Sequence, residues 1–153
     1  MPRIAERRSL AWSARQMYDL VADVRRYPEF LPWVVATRIK SDSETEMVAD
    51  MMVGFNALRE KFTSRVHKHA PRDGDPGRIE VDYLDGPMKS LSNNWVFEDA
   101  DNGGCTIAFT VEFSFRNALF EKIAGQYLDR AFRKMVAAFE TRAERLYGNE
   151  ALT

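Results

Sequence analysis

From Cys105 to Phe115 apolar and polar residues alternate: Cys105, Ile107, Phe109, Val111, Phe113 and Phe115 fall on one side, with Thr106, Ala108, Thr110, Glu112 and Ser114 on the other. A period of two belongs to a strand with one buried and one wet face. Beyond Asn117 the period lengthens. Leu119, Ile123, Tyr127, Phe132, Met135, Phe139 and Leu146 recur at helical spacing, which predicts an amphipathic helix over residues 117–147. At 1.5 Å per residue such a helix is roughly 45 Å long, enough to cross a sheet diagonally.

Upstream, residues 4–11 read as a first strand, and Ser13 as the N-cap of a helix reaching about Val24, with Met17, Leu20, Val21 and Val24 as its apolar stripe. The run Tyr27-Pro28-Glu29-Phe30-Leu31-Pro32-Trp33 follows. Its prolines lack N–H donors and push the preceding residues out of the helical region, so it predicts a bend. That bend carries Phe30, Leu31 and Trp33 onto an apolar surface, either as a core-plugging turn or as the rim of a cavity. Strands are predicted at 34–40 and 45–53 across the turn 41–44, then at 58–68, 78–84 and 91–98. Asp85-Gly86-Pro87 and Asp101-Asn102-Gly103-Gly104 supply hairpin turns, and 70–77 is a polar loop rich in proline and glycine. One helix, about six or seven antiparallel strands and a long closing helix make an α+β domain.

At 153 residues the chain suits one domain, expected at 1–148 with a flexible tail at 149–153. With 22 Lys plus Arg against 23 Asp plus Glu, no bulk attraction to nucleic acid or anionic lipid is encoded. The single cysteine, Cys105, excludes an intrachain disulfide and a cysteine-rich zinc site, and fits a reducing interior. The charged start Met1-Pro2-Arg3-Ile4-Ala5-Glu6-Arg7-Arg8 is followed by no long apolar run. A cytoplasmic protein, peripheral at the inner membrane at most and monomeric, is therefore expected.

Catalytic signals are sparse. His67 and His69 share a strand face with Arg65, a poor setting for a cation, so no metal is expected there. No nucleophile elbow or phosphate-cradling glycine loop is present. On strand 58–68, Leu58, Phe62 and Val66 share a face with Glu60 and Ser64. A polar group on an apolar face is paired, hydrated or beside a cavity, because burying it bare is costly. Two readings follow: Glu60 reaches solvent at an edge, or Glu60 and Ser64 orient a mostly apolar ligand. Met47 and Met51, on one face with Ala49, suit an adaptable lining as well as an ordinary core.

The proline-bounded aromatic run, the turn Gly86-Pro87-Met88-Lys89-Ser90-Leu91 and the helical segment from Ala131 to Ala143 together resemble the coenzyme Q-binding START-domain family. That family lies within the helix-grip (START/Bet v 1-like) superfamily of lipid-transfer and polyketide-cyclase-like domains. Many relatives place a cysteine after the tryptophan, whereas this chain has Val34, so no thiol role carries over. The resemblance implies a curved antiparallel sheet around the last helix, and ubiquinone or a similar lipid bound between them by a non-enzymatic carrier supporting respiration, in transient contact with a membrane surface. With the inward registers and apolar stripes read above, the residues expected at the ligand are Phe30, Leu31, Trp33, Met47, Ala49, Met51, Glu60, Phe62 and Ser64, followed by Met88, Lys89, Trp95, Phe109, Val111, Phe113, Ile123, Tyr127 and Met135. Lys89 matches a basic position of the family motif, suited to a polar head group or a lipid phosphate, with an idle loop lysine as the alternative. Two other functions stay open. One is ribosome binding, as in a toxin branch of the same family, for which Arg59, Lys61, Arg65, His67 and Lys68 offer a basic surface. The other is a polyketide cyclase-like enzyme, with Glu60 as the obvious inward acid.

Overall fold

In the computed structural model the Cys105–Phe115 alternation is a strand with those limits, one of seven. The chain runs β1 (Arg3–Leu10), α1 (Ala14–Ala22), a 3₁₀ turn (Val24–Glu29), β2 (Val34–Asp42), β3 (Glu46–Phe55), β4 (Leu58–His69), β5 (Gly77–Asp85), β6 (Met88–Asp99), β7 (Cys105–Phe115) and α2 (Ala118–Ala151). The structure describes residues 3–55 and 58–151; the side chains of Phe55, Leu58, Phe120, Ala124, Tyr127, Leu128, Asn149, Glu150 and Ala151 lie outside the description.

The strands form one antiparallel sheet in the order β1-β7-β6-β5-β4-β3-β2. Only β1 reaches across the sequence, because α1 and the 3₁₀ turn intervene before β2 starts the meander. Register sets a row of side chains across the inner face: Met47 faces Val66, Val66 faces Val81, Val81 faces Asn93, Asn93 faces Val111 and Val111 faces Ile4. Since side chains alternate by two, this row commits the neighbouring odd positions of β6 and β7 to the same face. Leu91, Asn93, Trp95 and Phe97 therefore point inward together with Ile107, Phe109, Val111 and Phe113. The arrangement is the helix-grip fold, with α2 lying over the sheet.

Helix α1 starts as its sequence predicts. Ser13 Oγ accepts the N–H of Gln16 (3.1 Å), and the Gln16 side chain accepts the N–H of Ser13 (2.9 Å), a reciprocal capping box. The Ala14 N–H donates to Asp99 (2.9 Å), tying the helix start to the sheet. The proline run bends, but part of it departs from expectation: Tyr27 and Pro28 lie in a 3₁₀ turn instead of leaving the helical region. Tertiary packing overrides the local preference. Tyr27 is buried, its hydroxyl donates to the Val21 carbonyl, and its ring meets Phe139 edge-on at 5.8 Å. The chain leaves the turn only at Phe30 (φ −142°).

The sealed part of the core lies between α1, the C-terminal half of α2 and the β5–β7 part of the sheet. Phe97 and Cys105 are fully buried there, as are Ala14 and Ala143. Helix α2 runs beyond Tyr147 to Ala151.

Candidate functional site

Beside the sealed core the sheet and α2 part to leave a cavity of about 410 Å³, partly open to solvent. Strands β3 to β7 give its floor, through residues such as Ala49, Val66, Val81, Trp95 and Val111. Ala131, Phe132, Met135 and Phe139 of α2 give its roof, and Val21, Val24, Tyr27, Leu31, Trp33 and Val34 close one side. The wall is apolar, and no charged side chain lines it among the described residues.

Eleven of the expected site residues meet at this wall: Leu31, Trp33, Ala49, Met51, Phe62, Ser64, Trp95, Phe109, Val111, Phe113 and Met135. The structure places the others elsewhere. Phe30 turns away to stack edge-on against Phe139 (5.4 Å) with the Arg142 guanidinium 5.1 Å from its ring centre. Met47 is buried in the core beyond the cavity. Glu60, near the start of β4, is half-buried and lies outside the lining. Met88 is buried behind the wall, its N–H donating to the Tyr83 hydroxyl (2.9 Å), whereas Lys89 is exposed. Ile123 is half-buried on α2 away from the lining, and the Tyr127 side chain lies outside the described residues.

Sequence reasoning missed Asn93 and much of the aliphatic floor, including Val66, Ile79, Val81 and Leu91. The signal for Asn93 was the alternation Leu91, Asn93, Trp95, Phe97, which puts an amide on an apolar face. Asn93 Nδ2 donates to the Thr110 carbonyl (2.9 Å), and its Oδ1 accepts the Trp95 indole N–H (2.9 Å). The amide thereby sets the angle of Trp95, whose ring lies against Phe109 with centres 4.5 Å apart. Ser64 differs: it is 6% exposed, and its buried Oγ has no hydrogen-bond partner among the described residues. Leaving a buried hydroxyl unpaired costs about 1–3 kcal/mol.

Gly86, in the β5–β6 turn, has φ +147°, and a Cβ there would lie 2.7 Å from Phe62 Cβ and 2.9 Å from the Tyr83 hydroxyl. The glycine lets the turn close against the back of a cavity-wall residue. Nucleophilic chemistry finds no support in Cys105, which lies outside the lining; burial first, and Asp99 second, push its thiol up to about 11. Among the described residues no group of three His, Cys, Asp or Glu side chains is placed to hold a metal ion.

The cavity between a long helix and a seven-stranded sheet is that of a START-like lipid-binding fold. Residues 10–140 match the family described as polyketide cyclase/dehydrase and lipid transport, and the chain belongs to it. It is 36% identical over 140 residues to the ribosome association toxin RatA of Pseudomonas aeruginosa, covering 91% of this chain and 93% of that protein. It is 31% identical over 150 residues to the mitochondrial coenzyme Q-binding protein COQ10 homolog B of Xenopus laevis, covering 95% of this chain and 59% of that protein. In structure it is similar to the Zhui aromatase/cyclase of Streptomyces sp. R1128, with a TM-score of 0.80 and 18% identity over 94% of this chain and 93% of that one.

Proposed function

We propose that this protein binds an isoprenoid quinone or a similar neutral lipid in the cavity and carries it without chemical change, in support of quinone-dependent electron transport. The observation that carries the reading is the apolar, partly open cavity of about 410 Å³ beneath α2, in a size range suited to small-molecule sites. The space suits a substituted quinone ring, with a longer isoprenoid tail leading out through the mouth. The similarity to a coenzyme Q-binding protein supports the same choice of ligand.

Ala49→Phe tests the reading, because Ala49 is 4% exposed and lines the cavity. Overfilling a packed core costs about 1–3 kcal/mol, whereas a void absorbs the added ring. Loss of quinone binding with a nearly unchanged melting temperature is expected. A large stability loss with binding retained would return the site to ordinary core.

A second reading, ribosome binding, draws on the similarity to RatA. The basic stretch of β4 supports it weakly: Arg65 meets Glu46 (2.8 Å), His67 meets Asp82 (2.8 Å) and Lys68 meets Asp42 (2.6 Å). Arg59 and Lys61 remain as the exposed cations of that stretch. Co-sedimentation with large ribosomal subunits, lost in an Arg59→Glu, Lys61→Glu double variant, is its test. A cyclase needs an acid or base at the ligand, and the described lining offers no carboxylate, imidazole or amine for that role.

A further inference from the structure

We propose that Ser64 is the polar anchor of the cavity, and that the site selects a neutral lipid with a carbonyl or hydroxyl head over an ionised one. The proposal rests on the lipid-carrier reading above and adds the orientation and charge state of the occupant.

Ser64 lines the cavity, is 6% exposed, and has no partner for its Oγ among the described residues. Its register neighbours do not relieve it. Ala49 offers no polar side-chain atom, and the Tyr83 hydroxyl, which accepts the Met88 N–H, makes no bond to Ser64 Oγ. The other polar side chain on the floor, Asn93, is held at both ends by Thr110 and Trp95. Asn93 is thus part of the scaffold, while Ser64 keeps its capacity for an occupant. A hydroxyl both donates and accepts. It meets a quinone carbonyl by donating and a quinol hydroxyl by accepting, so one anchor serves both redox forms of the same head.

Charge is excluded by the same wall. A carboxylate or phosphate drawn inside would lose its water and find no lysine, arginine or histidine among the described lining residues. Burying such an ion unpaired is far more costly than burying a paired hydroxyl. The occupant therefore lies with its neutral polar head at Ser64 and its tail toward the mouth.

The test follows the fluorescence of Trp33 and Trp95, both in the wall, on titration with decylubiquinone, its quinol, decane and palmitate at neutral pH. Ser64→Ala is expected to weaken quinone and quinol about five- to tenfold, the loss of one hydrogen bond, with decane unchanged. Ser64→Thr, which keeps the hydroxyl, should stay close to wild type. Palmitate should bind the wild type at least about tenfold more weakly than the quinone. The melting temperature of Ser64→Ala should be no lower than wild type, since an unpaired hydroxyl is removed. Equal quinone affinity in Ser64→Ala, a threonine variant as weak as the alanine one, or tight palmitate binding overturns the anchor and leaves the lipid site standing. A wild-type protein that takes up none of the four probes overturns the carrier reading along with it.

Discussion

Asp50 sits on the outward face of β3, yet only 6% of it is exposed, because Thr63 on β4 and Lys40 on β2 close over it. Thr63 Oγ1 donates to Asp50 Oδ1 at 2.5 Å, and Lys40 Nζ lies 3.6 Å from the same oxygen. The Thr63 hydrogen bond holds the carboxyl below its ordinary range; burial opposes this, and the charges of Lys40 and Lys61 add to it. A depressed acid stabilises the fold above its unfolded value, near 3.8, and that contribution is lost as pH falls through the lower folded value. Thr63→Val should therefore cost about 0.5–1 kcal/mol at neutral pH, allowing for solvent near the pair. The cost should shrink below about pH 4, where Asp50 begins to protonate in the unfolded chain. Urea midpoints for both proteins at pH 7 and pH 3 check this. A gap that stays constant down to pH 3 would assign the loss to Thr63 packing instead of to the ionised carboxylate.

Helix α2 does two jobs along one face. Phe139 is 5% exposed and meets Tyr27, Phe30 and Trp95 with ring centres 5.4–5.8 Å apart, whereas Phe132, two turns earlier, is half-buried over Phe109 at 5.3 Å and roofs the open part of the cavity. Phe139→Ala should cost about 3–5 kcal/mol, as for a packed core ring, and Phe132→Ala less than half of that, since its neighbours already border a void. Chemical unfolding of the two variants gives the comparison, and equal losses would mean that the roof is as tightly packed as the core. Both phenylalanines were legible as one helical stripe, but not the difference between them. Periodicity reports which face is turned inward and says nothing of whether atoms or space lie opposite. For the same reason Met47 and Met51 looked alike on β3, although only Met51 borders the cavity. The strand limits of β7 were legible because six successive alternations admit no other register. The 3₁₀ turn was not, because Tyr27 is held there by Val21 and Phe139, residues that sequence-local rules do not see.

For the molecule as a whole, the antiparallel order brings several connections to one end of the sheet. The starts of β2 and β4, the end of β3, the β5–β6 turn and the β7–α2 junction all lie there, as the pairs Val34–Val53, Thr63–Asp85 and Met88–Phe115 require. Leu31 and Trp33 reach the cavity from this end, and Gly86 backs onto Phe62. Apolar side chains on these segments are also left in water: Val35 is 43% exposed, Leu84 43% and Leu119 62%, and near Leu84 and Leu119 in the chain Lys89, Arg116 and Lys122 are exposed, as is Asp85. Among the described residues no helix is long and apolar enough to cross a membrane. Exposed apolar groups next to cations instead suit shallow, reversible contact with an anionic bilayer. If a lipid tail passes here, Trp33→Ser and Leu119→Ser should each slow quinone extraction from anionic liposomes several-fold without lowering the melting temperature, Trp33 through the mouth and Leu119 through docking. Met88→Ser separates function from packing. Met88 is 6% exposed and lies outside the lining, so its replacement should cost about 2–5 kcal/mol of stability and leave the extraction rate of the folded fraction near wild type. Wild-type extraction by both the Trp33 and Leu119 variants would move the entrance away from this end, and Trp33 would then be a wall residue with no part in uptake.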